Sequence, residues 1–146
     1  MYKCKYFKLQ ELICPDIYKQ YGEKAWEFFD ESFLKDLDMI RELLGVPIII
    51  NNWNTGGQYR ESGLRCDLCN EVKKSTSKGK INMSAHRNNG ADLKPKGISI
   101  QKAKELILNN QDKFQSIKRI ESTEFTPTWL HIDCRGHHKG IKVFNP

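Results

Sequence analysis

Phe33, Leu37, Ile40 and Leu44 recur at helical spacing, with Asp30 or Ser32 as N-cap, Gly45 at the stop and Pro47 just beyond. That pattern predicts a helix of about three to four turns. Upstream, residues 7–12 and 17–29 read as shorter helical pieces, interrupted by Pro15 and Gly22, that cap the core. Past residue 46 the periodicity changes. Pro47-Ile48-Ile49-Ile50-Asn51-Asn52 is a β-branched run patterned as a buried central strand. Residues 53–80 are polar and Gly-rich without periodicity, so a long loop is expected there. Residues 91–94, 117–120, 128–134 and 141–144 read as strands. Between the first two, Ser99 caps a helix whose apolar face is Ile100, Ala103, Leu106 and Ile107, ending near Asn109-Asn110. Helices first and then mostly strands predict an α+β fold, a small antiparallel sheet with the N-terminal helices packed on it. With no internal repeat and no linker, residues 1–146 are expected to form one domain.

Composition narrows the class. At 146 residues and 38% hydrophobic content the chain can bury a core without disulfides. The longest apolar run, Val46 to Ile50, is far short of the roughly 18–20 residues of a membrane span. Met1-Tyr2-Lys3-Cys4-Lys5 lacks the apolar stretch of a signal peptide, so cytoplasmic synthesis is expected. Five cysteines are an odd number, which fits reduced thiols better than a disulfide scaffold. Cys66-Asp67-Leu68-Cys69 is a CxxC pair, but a zinc knuckle wants a second pair, and Cys4, Cys14 and Cys134 show no such spacing.

The net charge of +6 is uneven: residues 1–46 carry seven Lys/Arg against nine Asp/Glu, leaving seventeen against nine in residues 47–146. A basic surface attracts nucleic acid, anionic cell-wall polymers or peptide carboxylates. Here the basic residues are scattered through loops rather than clustered on one face, which argues against a nucleic-acid-binding domain.

The chemistry is concentrated in two segments, Ser84-Ala85-His86-Arg87-Asn88-Asn89-Gly90-Ala91-Asp92 and Trp129-Leu130-His131-Ile132-Asp133. Two histidines and an aspartate are what a three-ligand zinc site with an open fourth position requires, which points to a zinc hydrolase. Side chains two apart on a strand share a face. His131 and Asp133 are therefore expected to look into one site, with Trp129 as an apolar wall and Leu130 and Ile132 facing the core.

Ser62-Gly63-Leu64-Arg65, then Ser84-x-His86…Gly90…Asp92, then Trp129-x-His131-x-Asp133 resembles the zinc peptidases of the D-Ala-D-Ala carboxypeptidase type. That group also holds phage endolysins cutting L-alanyl-D-glutamate bonds, vancomycin-resistance dipeptidases and the hedgehog signalling fold. The resemblance runs from about Phe7 to Arg135 and is nearest to small versions encoded by bacteriophages and prophages. It implies a hedgehog-like fold, with His86, Asp92 and His131 holding Zn²⁺ and Ser84 beside the first ligand. Arg65 would lie over the substrate and stabilise developing negative charge, with Arg60 as the competing candidate and Trp129 lining the substrate site. The implied activity is a monomeric metallopeptidase, carboxypeptidase or endopeptidase, acting on peptidoglycan stem or cross-link peptides. Such an enzyme acts at the bacterial cell wall, which a phage protein without a signal would reach through a holin or by virion delivery.

Two positions depart from that pattern. Asp92 lies six residues after His86, where the family has seven, and Gly90 lies at four rather than three. Thr128 stands where many relatives place a Glu or Asp as general base. Asp133 is the expected base by its shared strand face, or else a carboxylate that orients a histidine; Glu121 and Glu124 are the alternatives upstream. A non-catalytic wall-binding or virion component of the same fold is the alternative function.

Overall fold

A computed structural model describes all residues, Met1 to Pro146. Pro15 and Gly22 divide the N-terminal pattern as expected, into α1 (Leu9–Leu12), α2 (Pro15–Tyr21) and a 3-10 run (Gly22–Phe28). The predicted long helix is α3 (Glu31–Leu44), with Asp30 at its N-cap and Gly45 at its C-cap. Phe33, Leu37, Ile40 and Leu44 are buried as the spacing requires, and so are Asp36 and Asp38, which do not belong to the apolar face. Both carboxylates are satisfied by the chain. Asp38 accepts from the Tyr2 hydroxyl and the Lys5 and Tyr6 amides, while Asp36 accepts from the amides of Gln115, Ser116 and Ile117. Helix α3 therefore clamps the N-terminus on one side and the chain entering the sheet on the other.

The strands are β1 (Ile48–Ile49), β2 (Gly90–Pro95), β3 (Arg119–Glu121), β4 (Leu130–Asp133) and β5 (Lys142–Phe144), in the order β1-β2-β4-β3-β5. The expectation of an antiparallel sheet needs correction, because β5 pairs parallel to β3 and the sheet is mixed. The expected central strand at 47–52 is a second correction: it shrinks to two residues at the sheet edge. Ile50 is fully buried beyond the end of the strand, and Asn51 leaves the strand path to bond Glu11 and Ile13 at α1 and the Ser62 amide. Third, the region 53–80 is not all loop, since α4 (Asn70–Thr76) interrupts it with Val72 as its one buried residue. One buried side chain in seven leaves no periodicity to read.

The helix capped by Ser99 forms as α5 (Ile100–Asn109), the Ser99 hydroxyl accepting from the Lys102 amide at 3.1 Å. Buried residues from α1, α2, α3, α5 and the sheet share one apolar cluster of 26 side chains, an α+β arrangement. No helix is long and apolar enough to cross a membrane.

Candidate metal centre

Antiparallel pairing of β2 with β4 sets Asp92 directly opposite His131. His86 reaches the same place from a 3-10 turn, Ala85–Arg87, whose N-cap Ser84 accepts the His86 amide on its hydroxyl at 3.2 Å. The turn between the ligands is tight. A Cβ on Gly90 would stand 2.9 Å from the Ala85 carbonyl, closer than real side chains come, so only glycine lets this shortened connection close. Asn89 anchors it, accepting from the Asp30 amide and donating to the Asp30 carboxylate. The six-residue spacing thus still delivers the aspartate: Asp92 Oδ1 lies 3.3 Å from His86 Nε2 and 2.9 Å from His131 Nδ1.

Each imidazole is held by the ring nitrogen that points away from this convergence. His86 Nδ1 meets the Gly63 carbonyl at 3.0 Å, and a carbonyl can only accept, so Nδ1 carries the hydrogen and Nε2 keeps its lone pair. His131 Nε2 donates to Asp133 Oδ2 at 3.0 Å, which leaves Nδ1 facing Asp92. Tetrahedral zinc with bonds near 2.0–2.1 Å separates neighbouring ligand atoms by about 3.3 Å. The observed separations and the imidazole and carboxylate donor types fit that requirement. His86, Asp92 and His131 can therefore hold a metal ion.

The electrostatics follow from the same contacts. Burial pushes the His86 pKa down, keeping that ring neutral. Burial acts in the same direction on His131 but is outweighed by hydrogen bonds to Asp133 and Asp92, so its pKa rises to about 9. Both carboxylates are shifted below their ordinary range despite burial, by His131 and His86 at Asp92 and by His131 and Arg119 at Asp133. In the metal-free protein His131 thus carries the proton that a cation would displace.

His131 and Asp133 do share a face, but Asp133 lies at the Nε2 edge of the ring, opposite the edge turned to Asp92. Its side chain is completely buried, and its oxygens also accept from Arg119 Nε and Nη2, both at 2.8 Å, and from the Arg135 amide. This corrects the expectation that it comes within a water's reach of the metal. Arg119, which spacing did not reveal, sits across the strand pair from Asp133. The β3–β4 register pairs Arg119 with Asp133 and Ile120 with Ile132, and Glu121 follows on the same face of β3 as Arg119, close enough for His131 to act on its charge. Glu121 is half-buried, its pKa is raised by burial, and its carboxylate accepts no hydrogen bond from the chain. Glu124 is exposed in the turn beyond.

Of the two arginines, Arg65 reaches the centre. Its Nη2 is 3.8 Å from Asp92 Oδ2, its Nη1 donates to Ser84 Oγ at 3.4 Å, and its Nε donates to the Glu61 carbonyl. Its amide donates to the His86 carbonyl at 2.8 Å. Arg60 is exposed and lines a different cleft with Cys14 and Asp16. Trp129 and Thr128 wall a cleft of about 370 Å³ that opens on Asp92 and is completed by Tyr59, Ser62 and Lys94.

Lys94 was missed in the sequence, although it lies two residues after Asp92 and so on the same strand face. Its Nζ donates to Ser62 Oγ at 2.8 Å and stands 4.3 Å from the centre of the Tyr59 ring. No carboxylate pairs with it, and burial lowers its pKa to about 8. The cysteines also depart from expectation. Cys14 lies beside the Cys66–Cys69 pair, and the three could hold a second metal ion.

No protein-family model matches this chain, and no curated protein or solved structure matches it either.

Proposed function

We propose that this protein is a zinc-dependent peptidase acting on peptidoglycan stem or cross-link peptides, of the D-Ala-D-Ala carboxypeptidase or endolysin type. The observation that carries the reading is the convergence of His86 Nε2, Asp92 Oδ1 and His131 Nδ1 beside an open cleft, with Gly63 and Asp133 holding the far nitrogen of each ring. Substrate class rests on the resemblance of the three motifs, since hydrolysis at zinc suits many amides. Action at the wall of a phage or prophage host belongs to the same resemblance.

His86, Asp92 and His131 would hold the zinc, which when bound supplies a Lewis acid and brings the pKa of water toward ~7. Arg65 steadies the negative charge that develops on the attacked carbonyl, a role suited to a cation that stays charged and is already held by Glu61 and Ser84. Glu121 takes the proton from water, because it is the unengaged carboxylate on the His131 face. Asp133 orients His131 rather than touching substrate. Trp129 and Tyr59 pack the peptide in the cleft, where the Lys94 ammonium receives the carboxylate of the stem peptide.

The test is metal content together with release of amino groups from purified peptidoglycan. One zinc per chain should be lost in His86→Ala and in His131→Ala, and wall hydrolysis should be abolished by a chelator and restored by zinc. Zinc bound at His86 and His131 with no activity on any wall substrate would favour the non-catalytic wall-binding component, the reading supported by Thr128 in the usual base position.

A further inference from the structure

We propose that Cys14, Cys66 and Cys69 form a second metal site, a thiolate centre for zinc or another soft d¹⁰ cation, that braces the segment carrying Arg65. The proposal stands apart from the peptidase reading: the site is expected to fill whether or not the protein cuts any peptide.

Fifty-two residues separate Cys14 from Cys66, and the fold closes that distance with backbone hydrogen bonds. Leu64 donates to the Leu12 carbonyl at 2.8 Å and Cys14 to the Leu64 carbonyl at 3.1 Å, a parallel bridge centred on Ile13 and Leu64. Gly63 makes the approach possible, since any side chain there would collide with the Leu12 carbonyl. Cys69 then turns back, its amide donating to the Cys66 carbonyl at 3.2 Å.

The sulfur geometry suits a metal. Zinc–sulfur bonds of about 2.3 Å in a tetrahedron put neighbouring sulfurs about 3.8 Å apart. Cys14 Sγ and Cys66 Sγ are 3.4 Å apart, Cys66 Sγ and Cys69 Sγ 4.0 Å, and all three lie within 4.8 Å of one another. A disulfide needs about 2.05 Å and would use only two of the three. Peptide N–H groups of Ile17 and Leu68 are directed at the Cys14 and Cys66 sulfurs. Cys14 and Cys69 are buried but open onto a cleft of about 270 Å³, through which solvent supplies the fourth position.

The consequence lies in the sequence order Gly63-Leu64-Arg65-Cys66. The Gly63 carbonyl holds His86, Arg65 reaches Asp92, and Cys66 is the next residue along. A cation on the three thiolates therefore ties the outer end of this segment to the start of α2, and Arg65 keeps its place between two fixed points.

Cobalt(II) loading of a His86→Ala/His131→Ala protein isolates the thiolate site. One equivalent should bind and show intense sulfur-to-cobalt charge transfer in the near ultraviolet, which the His/Asp centre cannot produce. Adding Cys14→Ser should remove the band. Should that variant misfold, a mercurial reagent titrated into wild-type zinc protein answers the same question, by releasing one zinc as three thiols react. Amide exchange in residues 60–69 should be slower in the loaded protein. Full metal retention after Cys14→Ser, no charge-transfer band, or a Cys14–Cys66 disulfide in protein purified under reducing conditions would each overturn the site. Failure of the peptidase reading appears elsewhere, as loss of wall hydrolysis with this band intact.

Discussion

His131 donates its Nε2 hydrogen to Asp133 Oδ2 at 3.0 Å, and this one contact decides which edge of the imidazole faces Asp92. With one imidazole hydrogen kept at Asp133, displacement of the Nδ1 proton leaves a lone pair facing the centre. Asp133 can do this because Arg119 grips both its oxygens from the neighbouring strand, so the carboxylate is itself immobile.

Asp133→Asn is therefore expected to weaken zinc binding by about 10–100-fold, the usual loss when a ligand's supporting hydrogen bond is removed, while kcat at saturating zinc stays within several-fold of wild type. A metal-buffered titration run beside the kinetic assay separates the two effects. Unchanged affinity with kcat reduced by about 10²–10⁴ would return Asp133 to the role of base.

Glu121→Gln should show the reverse pattern. Zinc content and peptide KM should hold, and kcat should fall by about 10²–10⁴ as general-base catalysis is lost. The isosteric amide keeps the strand packing, so a variant as active as wild type would exclude Glu121, and Glu124→Gln would be the next measurement.

Arg65→Ala should reduce turnover by about 10²–10³ without releasing metal, the loss typical of one oxyanion donor. Arg60→Ala should change kcat/KM little, since its side chain lines another cleft. Equal effects from the two would mean that the oxyanion role assigned to Arg65 is wrong.

Lys94→Met tests the anion-binding end of the cleft. A charge-assisted hydrogen bond is worth about 1.5–3 kcal/mol, so KM for a peptide with a free terminal carboxylate should rise about 10–100-fold with kcat nearly unchanged. The amidated peptide should show no such difference between variant and wild type. If both peptides suffer alike, Lys94 supports the strand rather than the substrate.

Zinc affinity should depend on pH through His131. Its pKa is raised from 6.5 to about 9 in the metal-free protein, so below about 9 the cation must displace one proton. Apparent affinity should then climb about tenfold per pH unit up to that point and level off above it. The linked stability has the opposite sign: the imidazolium's contribution is fully present below 6.5 and is lost as pH rises through about 9. The lowered pKa values of Asp92 and Asp133 contribute above 3.8 and are lost on acidification. Calorimetry in buffers of different ionisation enthalpy counts the released proton; a pH-independent affinity between 6.5 and 9 would show that His131 carries none.

The amino-acid order by itself determined the long helix, the helix capped by Ser99, the α+β class and the three ligand candidates. Each of these is written in local spacing: 3.6-residue periodicity for the helices, and alternation for the strand that puts His131 and Asp133 on one face. Whether a turn one residue short could still bring Asp92 to the histidines was decided by the packing of Gly90 on Ala85 and by the register of β2 against β4. Tertiary structure also brought Arg65 rather than Arg60 to Asp92, set Asp133 behind the imidazole, and put Glu121 on a strand that pairs with the one carrying His131. Helix α4 escaped the pattern because only Val72 among its side chains is buried, and the β-branched run at 47–52 overstated a strand that pairs on one side alone and spans two residues. Cys14 is the sharpest case. Its partnership with Cys66 and Cys69 depends on Gly63 letting two backbones touch, a long-range steric fact to which no spacing rule has access.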